Sequence, residues 1–200
     1  MENTNSRVLG LVFFVIVSVF AFPFEAEAVG PWKGQIVDKE TGKPLEGVVV
    51  LAVWTKCGFI VMDGCAEYGD SEEAVTGQEG RFVIQARWYF SLFRPFSSLK
   101  GPAFYIFKAG YGRWQFQGYD TWSKDALESE EQRKKAWKQF EGEGVVLELP
   151  VLKTRNERLK FLGHVEAPGD IPDDRIPKYL QTYSQERVNL GLTPSRRGKK

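Results

Sequence analysis

The chain has 200 residues, of which 42% are hydrophobic and 14% aromatic. This composition supports a sizeable core and excludes an intrinsically disordered protein. The 27 basic and 26 acidic residues leave a net charge of +1, so there is no global electrostatic attraction to nucleic acid or to an anionic membrane surface.

The first segment has the pattern of an export signal. Arg7 precedes a nearly all-apolar run at 9–22, which is shorter than the roughly 20 residues that a membrane-spanning helix needs. Pro23 ends the run, and the AEA sequence at 26–28 fits the small-x-small pattern that signal peptidase recognises. We therefore expect a signal peptide at 1–28 and an exported protein in a periplasmic or extracellular, envelope-associated location. The alternative is an uncleaved leader that anchors the chain in the membrane.

Export changes the interpretation of the only two cysteines, Cys57 and Cys65. In an oxidising compartment a close pair that flanks a short loop predicts a structural disulfide, with two free thiols as the alternative. The spacing excludes a CxxC redox pair. A metal site would need further thiols or histidines, whereas His164 is the single histidine.

Short apolar and β-branched runs separated by turn residues predict a mainly β protein. The sequence VVVLAVW at 48–54 is the strongest strand candidate, and its consecutive apolar residues predict burial on both faces. Residues 55–73, which contain both cysteines, are interpreted as a longer excursion. In the run at 81–86, Phe82 and Ile84 are expected to face one way and their neighbours the other. Further strands are predicted at 32–37, 103–108, 114–116 and 145–149, with turns at 38–42 and 77–80.

Two later segments are helix-compatible. The charged residues 120–141 predict an inserted helix or a mobile loop, solvated by default, although Trp137 would suit a helix that docks on a partner. Thr154, with Glu157 three positions later and Gly163 beyond, makes a capping box with a glycine stop, which predicts a helix between them.

A joint rich in proline and aspartate at 168–177 precedes a second C-terminal helix, which is predicted at 178–190. The apolar residues of this helix are expected to dock on the sheets: Leu180, Tyr183, Val188 and Leu190. The basic residues that follow are expected to form a solvated tail: Arg196, Arg197, Lys199 and Lys200.

Several motifs resemble, in their order along the chain, carboxypeptidase regulatory-like domains, which are similar to transthyretin in fold. These motifs are GQIVD at 34–38, TGKP at 41–44, EGVVV at 46–50, TGQEG at 76–80, RFVI at 81–84 and FKAGY at 107–111. The resemblance covers about residues 33–150 and implies a seven-stranded, Greek-key, transthyretin-like β-sandwich. It also implies support of folding, binding or assembly rather than chemistry.

The expected organisation is therefore a signal peptide at 1–28, a carboxypeptidase regulatory-like β-sandwich at 29–150 with a helical insertion, and a C-terminal appendage at 151–200 with two helices and the basic tail. The insertion and the appendage have no counterpart in the basic module. They are the parts in which a specific function can reside.

No catalytic, cofactor or metal site is expected. A zinc site usually has at least three protein ligands, which His164 and Glu166 cannot supply. The sequence contains no GxSxG nucleophile elbow and no glycine-rich phosphate loop. Intradiol dioxygenases, which share a related sandwich, hold iron with two histidines and two tyrosines, so a single histidine argues against that chemistry. Asp170, Asp173 and Asp174 lack the spacing of an EF-hand loop and are interpreted as capping and solubilising groups.

A dense group of aromatic residues is the candidate binding surface. Exposed rings stack on sugars or rim a protein interface, whereas the alternative is core packing under a covered loop. Arg87 and Arg94 are candidates for cation–π contacts with these rings. The group comprises Trp88, Tyr89, Phe90, Trp114, Tyr119 and Trp122.

Together these features predict an exported, non-catalytic β-sandwich module for protein interaction or structural support in the cell envelope. Its partner is expected to be an envelope protein or a glycan, recognised by strand addition to a sheet edge or by loop contacts. A carbohydrate-binding envelope module that uses the aromatic group is the alternative. A hydrolase with an unfamiliar site around His164 is the third hypothesis.

Overall fold

The computed structural model describes residues 30–58, 65–87, 97–119, 126–167 and 169–197, and the predicted leader lies outside them. The strands are β1 (Trp32–Asp38), β2 (Val49–Gly58), β3 (Cys65–Val75), β4 (Arg81–Ile84), β5 (Ser97–Phe107), β6 (Gln115–Phe116) and β7 (Val145–Leu149). The helices are α1 (Ala126–Phe140), α2 (Arg155–Leu162) and α3 (Pro177–Asn189), with a short 3-10 turn at Asp173–Arg175.

Two sheets form the frame of the molecule. The four-stranded sheet has the order β4-β1-β7-β6, and the three-stranded sheet has the order β3-β2-β5. Strand β1 runs antiparallel to β4 and parallel to β7, whereas β2 runs antiparallel to both of its neighbours. The prediction of a mainly β protein with a helical insertion and two C-terminal helices is confirmed at this level.

Strand β2 is buried on both faces, as its continuous apolar sequence predicts. Val50, Ala52 and Trp54 belong to a cluster between the two sheets, which we call the inner core. Val49 and Leu51 point the other way, into a cluster between the three-stranded sheet and the C-terminal helices, which we call the outer core. Because successive side chains of a strand alternate between faces, one apolar run serves two cores.

Helix α1 closes the inner core at its C-terminal end. Phe140 is fully buried, and its ring centroid lies 4.8 Å from that of Phe104. The Trp137 ring lies 5.4 Å from Phe116 in an edge-to-face contact. The insertion is therefore helical, but it is not the wholly solvated helix that its charged sequence favours.

Residues 55–73 are not the excursion that the sequence predicts, because β2 continues to Gly58 and β3 begins at Cys65. The β3 sequence is polar and does not alternate, so its strand form depends on pairing with β2. The register shifts beside Gly69, where an added Cβ would lie 2.8 Å from the backbone carbonyl oxygen of Trp54. This irregularity therefore requires a glycine.

The C-terminal helices cover the outer face of the three-stranded sheet. The capping box of α2 is confirmed: the Glu157 backbone N–H donates to Thr154 Oγ1 at 3.2 Å, and the Thr154 N–H donates to Glu157 Oε2 at 2.9 Å. Gly163 follows the helix with φ −68°, so it ends α2 without adopting the left-handed conformation typical of a glycine stop.

Three of the four residues predicted to dock from α3 are buried in the outer core: Leu180, Tyr183 and Leu190. Val188 is 47% exposed, so its predicted docking is wrong. At 100° per residue, position 188 points away from the face that positions 180, 183 and 190 share.

The burial of α3 predicts that the appendage and the sheets unfold together. Ile176, at the start of α3, is fully buried in the outer core, and its substitution by alanine should destabilise the chain by about 2–5 kcal/mol. The described tryptophans all contact the inner core, so their emission reports the unfolding of the sheets. We expect Ile176→Ala to lower the denaturation midpoint seen by tryptophan emission. Val83, on β4, is 43% exposed, and the matched change Val83→Ala should alter the free energy of unfolding by less than about 0.5 kcal/mol. If Ile176→Ala leaves the midpoint of the tryptophan transition unchanged, the appendage and the sheets do not unfold as one cooperative unit.

Asp38, the last residue of the GQIVD motif at 34–38, makes the hydrogen bonds of the turn that follows β1. Asp38 Oδ1 accepts hydrogen bonds from the backbone N–H groups of Glu40 (2.9 Å) and Thr41 (2.8 Å), and Oδ2 accepts one from the Tyr111 hydroxyl (3.3 Å). Burial alone would raise the pKa of Asp38, but these hydrogen bonds together outweigh it, and the pKa lies below its ordinary value of 3.8.

This lowered pKa predicts a loss of stability in acid. Because the folded-state pKa of Asp38 is depressed, the stabilisation is present above the unfolded-state pKa and is lost as the pH falls through the folded-state value. The variant Asp38→Asn keeps one acceptor oxygen but cannot ionise. Between about pH 5 and about pH 2 its urea midpoint should fall less steeply than that of the unsubstituted chain. Parallel curves for the two proteins would show that Asp38 has no role in the acid transition.

Candidate functional site

Helix α3 is held at its start by a carboxylate from the sheet. Its N-cap, Ile176, has no capping side chain, and Glu73 of β3 accepts hydrogen bonds from the backbone N–H groups of Lys178 (3.0 Å) and Tyr179 (2.6 Å) instead. Burial raises the pKa of Glu73 above its ordinary value, although these two donors favour the charged form. A residue distant in sequence thus supplies the cap that α3 lacks.

An ion pair between a buried carboxylate and a partly exposed arginine fixes the other half of α3. Glu186 is 2% exposed and accepts two hydrogen bonds from Arg158 of α2, at 2.7 Å from Nε and 2.5 Å from Nη2. The backbone N–H of Gly110 donates to the same carboxylate at 3.3 Å. A bidentate pair restricts the relative orientation of its two elements, so α2, α3 and the turn after β5 are joined at one point.

The segment after α3, residues 191–197, folds back along the helix, and we call it the C-terminal arm. The backbone N–H of Ser195 donates to Ser184 Oγ at 3.2 Å. The guanidinium of Arg197 donates from Nη1 to the Ala167 carbonyl and from Nη2 to the Ile171 carbonyl, each at 2.7 Å. Arg197 therefore differs from the solvated tail residue that the sequence predicts, whereas Arg196 is exposed and residues 198–200 lie outside the described part of the chain.

An open groove with a volume of about 960 Å³ lies between α3, the segment that precedes it and the C-terminal arm. This volume is at the upper end of the range typical of ligand pockets, about 300–1,000 Å³. We call it the α3 groove. Its apolar lining includes Ile171, Pro172, Leu180, Val188 and Pro194, and its polar lining includes Asp170, Asp173, Asp174, Gln181, Ser184, Gln185 and Arg197.

The charges of the α3 groove are not balanced within it. Asp173 Oδ1 lies 2.9 Å from Nε of Arg197, which gives this carboxylate a cationic partner. Asp170 and Asp174 form no ion pair with any other residue in the described ranges. The three aspartates that the sequence assigned to capping and solubility therefore line a cavity, and two of them leave it with negative charge.

Sequence reasoning named the C-terminal appendage as a part in which a specific function can reside, but it placed the candidate binding residues in the aromatic group and missed this groove. Once Leu180, Tyr183 and Leu190 are assigned to the buried face of α3, the helical period directs Gln181, Ser184 and Val188 to the opposite face. That periodicity was the available signal. The walls beside this face come from the folding-back of two irregular segments, for which the sequence has no periodic pattern.

Two members of the predicted aromatic surface are described, and both pack against the inner core. Trp114 and Tyr119 are partly buried, and the Trp114 ring makes an edge-to-face contact with Phe116 at 5.5 Å. Trp88, Tyr89, Phe90 and Trp122 lie outside the described residues, so a platform that includes them stays a prediction.

The predicted cation–π role of Arg87 has a counterpart in the structure. Its guanidinium lies 5.8 Å from the centroid of the Trp54 ring, and its Nη2 lies 3.1 Å from Oε2 of Glu72. Arg94, the other candidate, is outside the described residues.

His164 lies just beyond α2, exposed, with Nδ1 2.7 Å from the Lys160 carbonyl. It does not line the α3 groove, so the structure does not join it to the candidate site. Among the described residues, no group of three histidine, cysteine, aspartate or glutamate side chains is arranged to hold a metal ion.

Comparisons with protein-family models, with curated proteins and with solved structures find no match to this chain. The resemblance to carboxypeptidase regulatory-like domains therefore rests on the sequence motifs and stays a prediction. Among the helices of the described ranges, none has the length and apolar character needed to cross a membrane.

The register of β2 and β3 places Cys57 directly opposite Cys65. Cross-strand neighbours have the Cα separation that a disulfide requires, so the backbone is compatible with the predicted bond. The bond would join the two strands at the end of their hairpin, beside the start of β5, where Cys57 is also paired with Ser98.

The disulfide itself stays a prediction, which reduction tests. If the bond forms, a reducing agent should destabilise the folded chain by about 2–3 kcal/mol, because a short closed loop limits the freedom of the unfolded state. Thermal unfolding with and without reductant measures the shift. The double variant Cys57→Ser/Cys65→Ser, which has no thiols, should unfold near the reduced protein in both buffers. An unsubstituted chain that melts at one temperature in both buffers would eliminate the structural disulfide.

Proposed function

We propose that this chain is an exported, non-catalytic module of the cell envelope that holds a partner protein in the α3 groove. In this proposal the two sheets are a seven-stranded, Greek-key, transthyretin-like β-sandwich of the carboxypeptidase regulatory-like type. The observation that carries the proposal is the α3 groove, in which apolar residues alternate with carboxylates, amides and hydroxyls. Mixed apolar and polar lining of this kind suits a peptide or protein surface.

The sheets themselves favour this groove over recognition by strand addition. The outer face of the three-stranded sheet is covered by α2 and α3, which pack on Val49, Leu51 and Phe107. Strand β5 is an edge of that sheet, but Pro102 within it has no backbone N–H to donate. The edges of the other sheet, β4 and β6, are four and two residues long. Strand β3, the other edge of the three-stranded sheet, is 11 residues long, but two register shifts interrupt its pairing with β2, and such irregularities oppose strand addition. Each of these strands is therefore a poor template for an added strand.

Two of the three exposed valines of the described residues, Val188 and Val75, support the same conclusion. Val188 lines the α3 groove, and Val75 lines a smaller depression of about 370 Å³ on the other flank of α3. Gln181 and Gln185 line both. The exposed face of α3 is therefore a ridge between two concave surfaces, which a partner can contact together.

Site-specific photo-crosslinking tests the proposal. A photoreactive residue at Gln181, in the groove, should form adducts with a protein from an extract of the cells that produce the chain. The same residue at Val83, on β4, is the positional control. Adding Val188→Lys to the Gln181 probe should reduce the adduct about tenfold, because it places a positive charge on the apolar part of the groove. The matched change Val83→Lys should leave the adduct unchanged.

Equal adducts from the two positions, or adducts insensitive to Val188→Lys, would contradict a groove-bound partner. Retention of a glycan in place of a protein would favour the carbohydrate-binding alternative.

A further inference from the structure

The segment before α3 forms a socket for a guanidinium group. Arg197 enters it with all three of its nitrogens engaged: Nε with Asp173 Oδ1 at 2.9 Å, and Nη1 and Nη2 with the carbonyls of Ala167 and Ile171 at 2.7 Å. Ala167 and Ile171 are 4% and 2% exposed and belong to the outer core. Because the two carbonyls belong to buried residues, the packing of the outer core sets their positions.

The geometry of the socket selects arginine over lysine. Two carbonyls and one carboxylate meet the planar fork of donors that a guanidinium presents, whereas an ammonium group offers its donors from one nitrogen. The socket therefore favours the guanidinium of an arginine over the ammonium of a lysine.

The arm that delivers Arg197 is attached by contacts of the kind that exchange with solvent. Outside the socket, the Ser195 backbone N–H donates a hydrogen bond to Ser184 Oγ, and Arg187 Nε donates one to the Thr193 carbonyl at 2.8 Å. The arm residues Thr193, Pro194 and Arg196 are exposed, whereas Ser195 is buried and Leu192, at the start of the arm, packs against the outer core. Hydrogen bonds that water can replace contribute about 1 kcal/mol each, or about 1.5–3 kcal/mol where one partner is charged. Residues 193–197 can therefore detach while Leu192 stays on the outer core.

We infer that the partner of the α3 groove presents an extended segment with an arginine, which enters the socket of Ala167, Ile171 and Asp173 in place of Arg197. This inference rests on the proposed function and names the chemistry of its partner. Asp170 and Asp174 add charge complementarity along the rest of the groove. The arm then acts as an internal competitor, which a partner displaces by adding contacts to the groove that the arm does not make.

The test uses three labelled peptides with the full chain, measured by fluorescence anisotropy. One peptide has a central arginine flanked by prolines, and the others replace the arginine with lysine or with citrulline. The arginine peptide should bind more tightly than both. Arg197→Ala should tighten its binding about tenfold, as expected if the arm fills the socket about nine-tenths of the time. Arg197→Ala should not tighten the binding of the citrulline peptide. The tighter binding of the arginine peptide should disappear in the double variant Arg197→Ala/Asp173→Asn.

Arg196→Ala is the matched control, since it makes the same change in net charge at an exposed neighbour outside the socket. Equal effects of Arg196→Ala and Arg197→Ala, or equal binding of the arginine and lysine peptides, would overturn the inference. If Arg197→Ala disturbs folding, Arg197→Lys keeps the charge and removes the fork, and it should also tighten arginine-peptide binding. No tightening in a folded Arg197→Lys protein would likewise overturn it.

The two proposals fail in different ways. A groove-dependent crosslink without arginine selectivity would leave the docking function standing and would remove the arginine socket as its anchor. Arginine selectivity without a groove-dependent protein adduct would establish the socket and contradict the proposed partner protein.

Discussion

Strand β2 is shared by two separate cores, and the rest of the structure depends on this sharing. Its residues alternate between a layer filled by the four-stranded sheet and α1 and a layer filled by α2 and α3. An apolar strand face left in water would cost about 25 cal/mol for each Å² exposed, so neither layer is dispensable. For this reason the C-terminal helices are part of the folded body rather than an attachment to it.

Polar contacts then decide where the exposed face of α3 points. The outer core alone would allow the helix to slide or rotate on an apolar surface, because hydrophobic contact is not directional. The Glu73 cap at one end and the bidentate Arg158–Glu186 pair further along restrict that freedom. Removal of either partner of a buried pair leaves an uncompensated charge, so such contacts specify position even where they add little net stability. The α3 groove has its shape because these contacts hold its floor.

The parts of the fold that follow a local rule were predictable from the sequence. The alternation around Phe82 and Ile84, the capping box of Thr154 and Glu157, and the unbroken apolar run of β2 each express a periodicity or a cap that neighbouring residues define. Strand β3 was missed because its polar sequence obtains strand geometry from pairing, which no local pattern shows. Val188 was assigned to the wrong face because its apolar character was weighed without its angle on the helix. Of the candidate site, the composition of the acidic joint and the polar face of α3 could be identified in advance, but their meeting could not.

The sequence by itself therefore determined the mainly β class, the positions of most strands, the two C-terminal helices and the double burial of β2, because these follow from periods of 2 and 3.6 residues along a continuous segment. Only the tertiary structure decided that Arg197 enters a socket made by Ala167, Ile171 and Asp173, and that Glu73 caps a helix more than a hundred residues away. These contacts join segments that have no shared period. Their partners are chosen by which polar groups the packed layers bring within hydrogen-bonding distance.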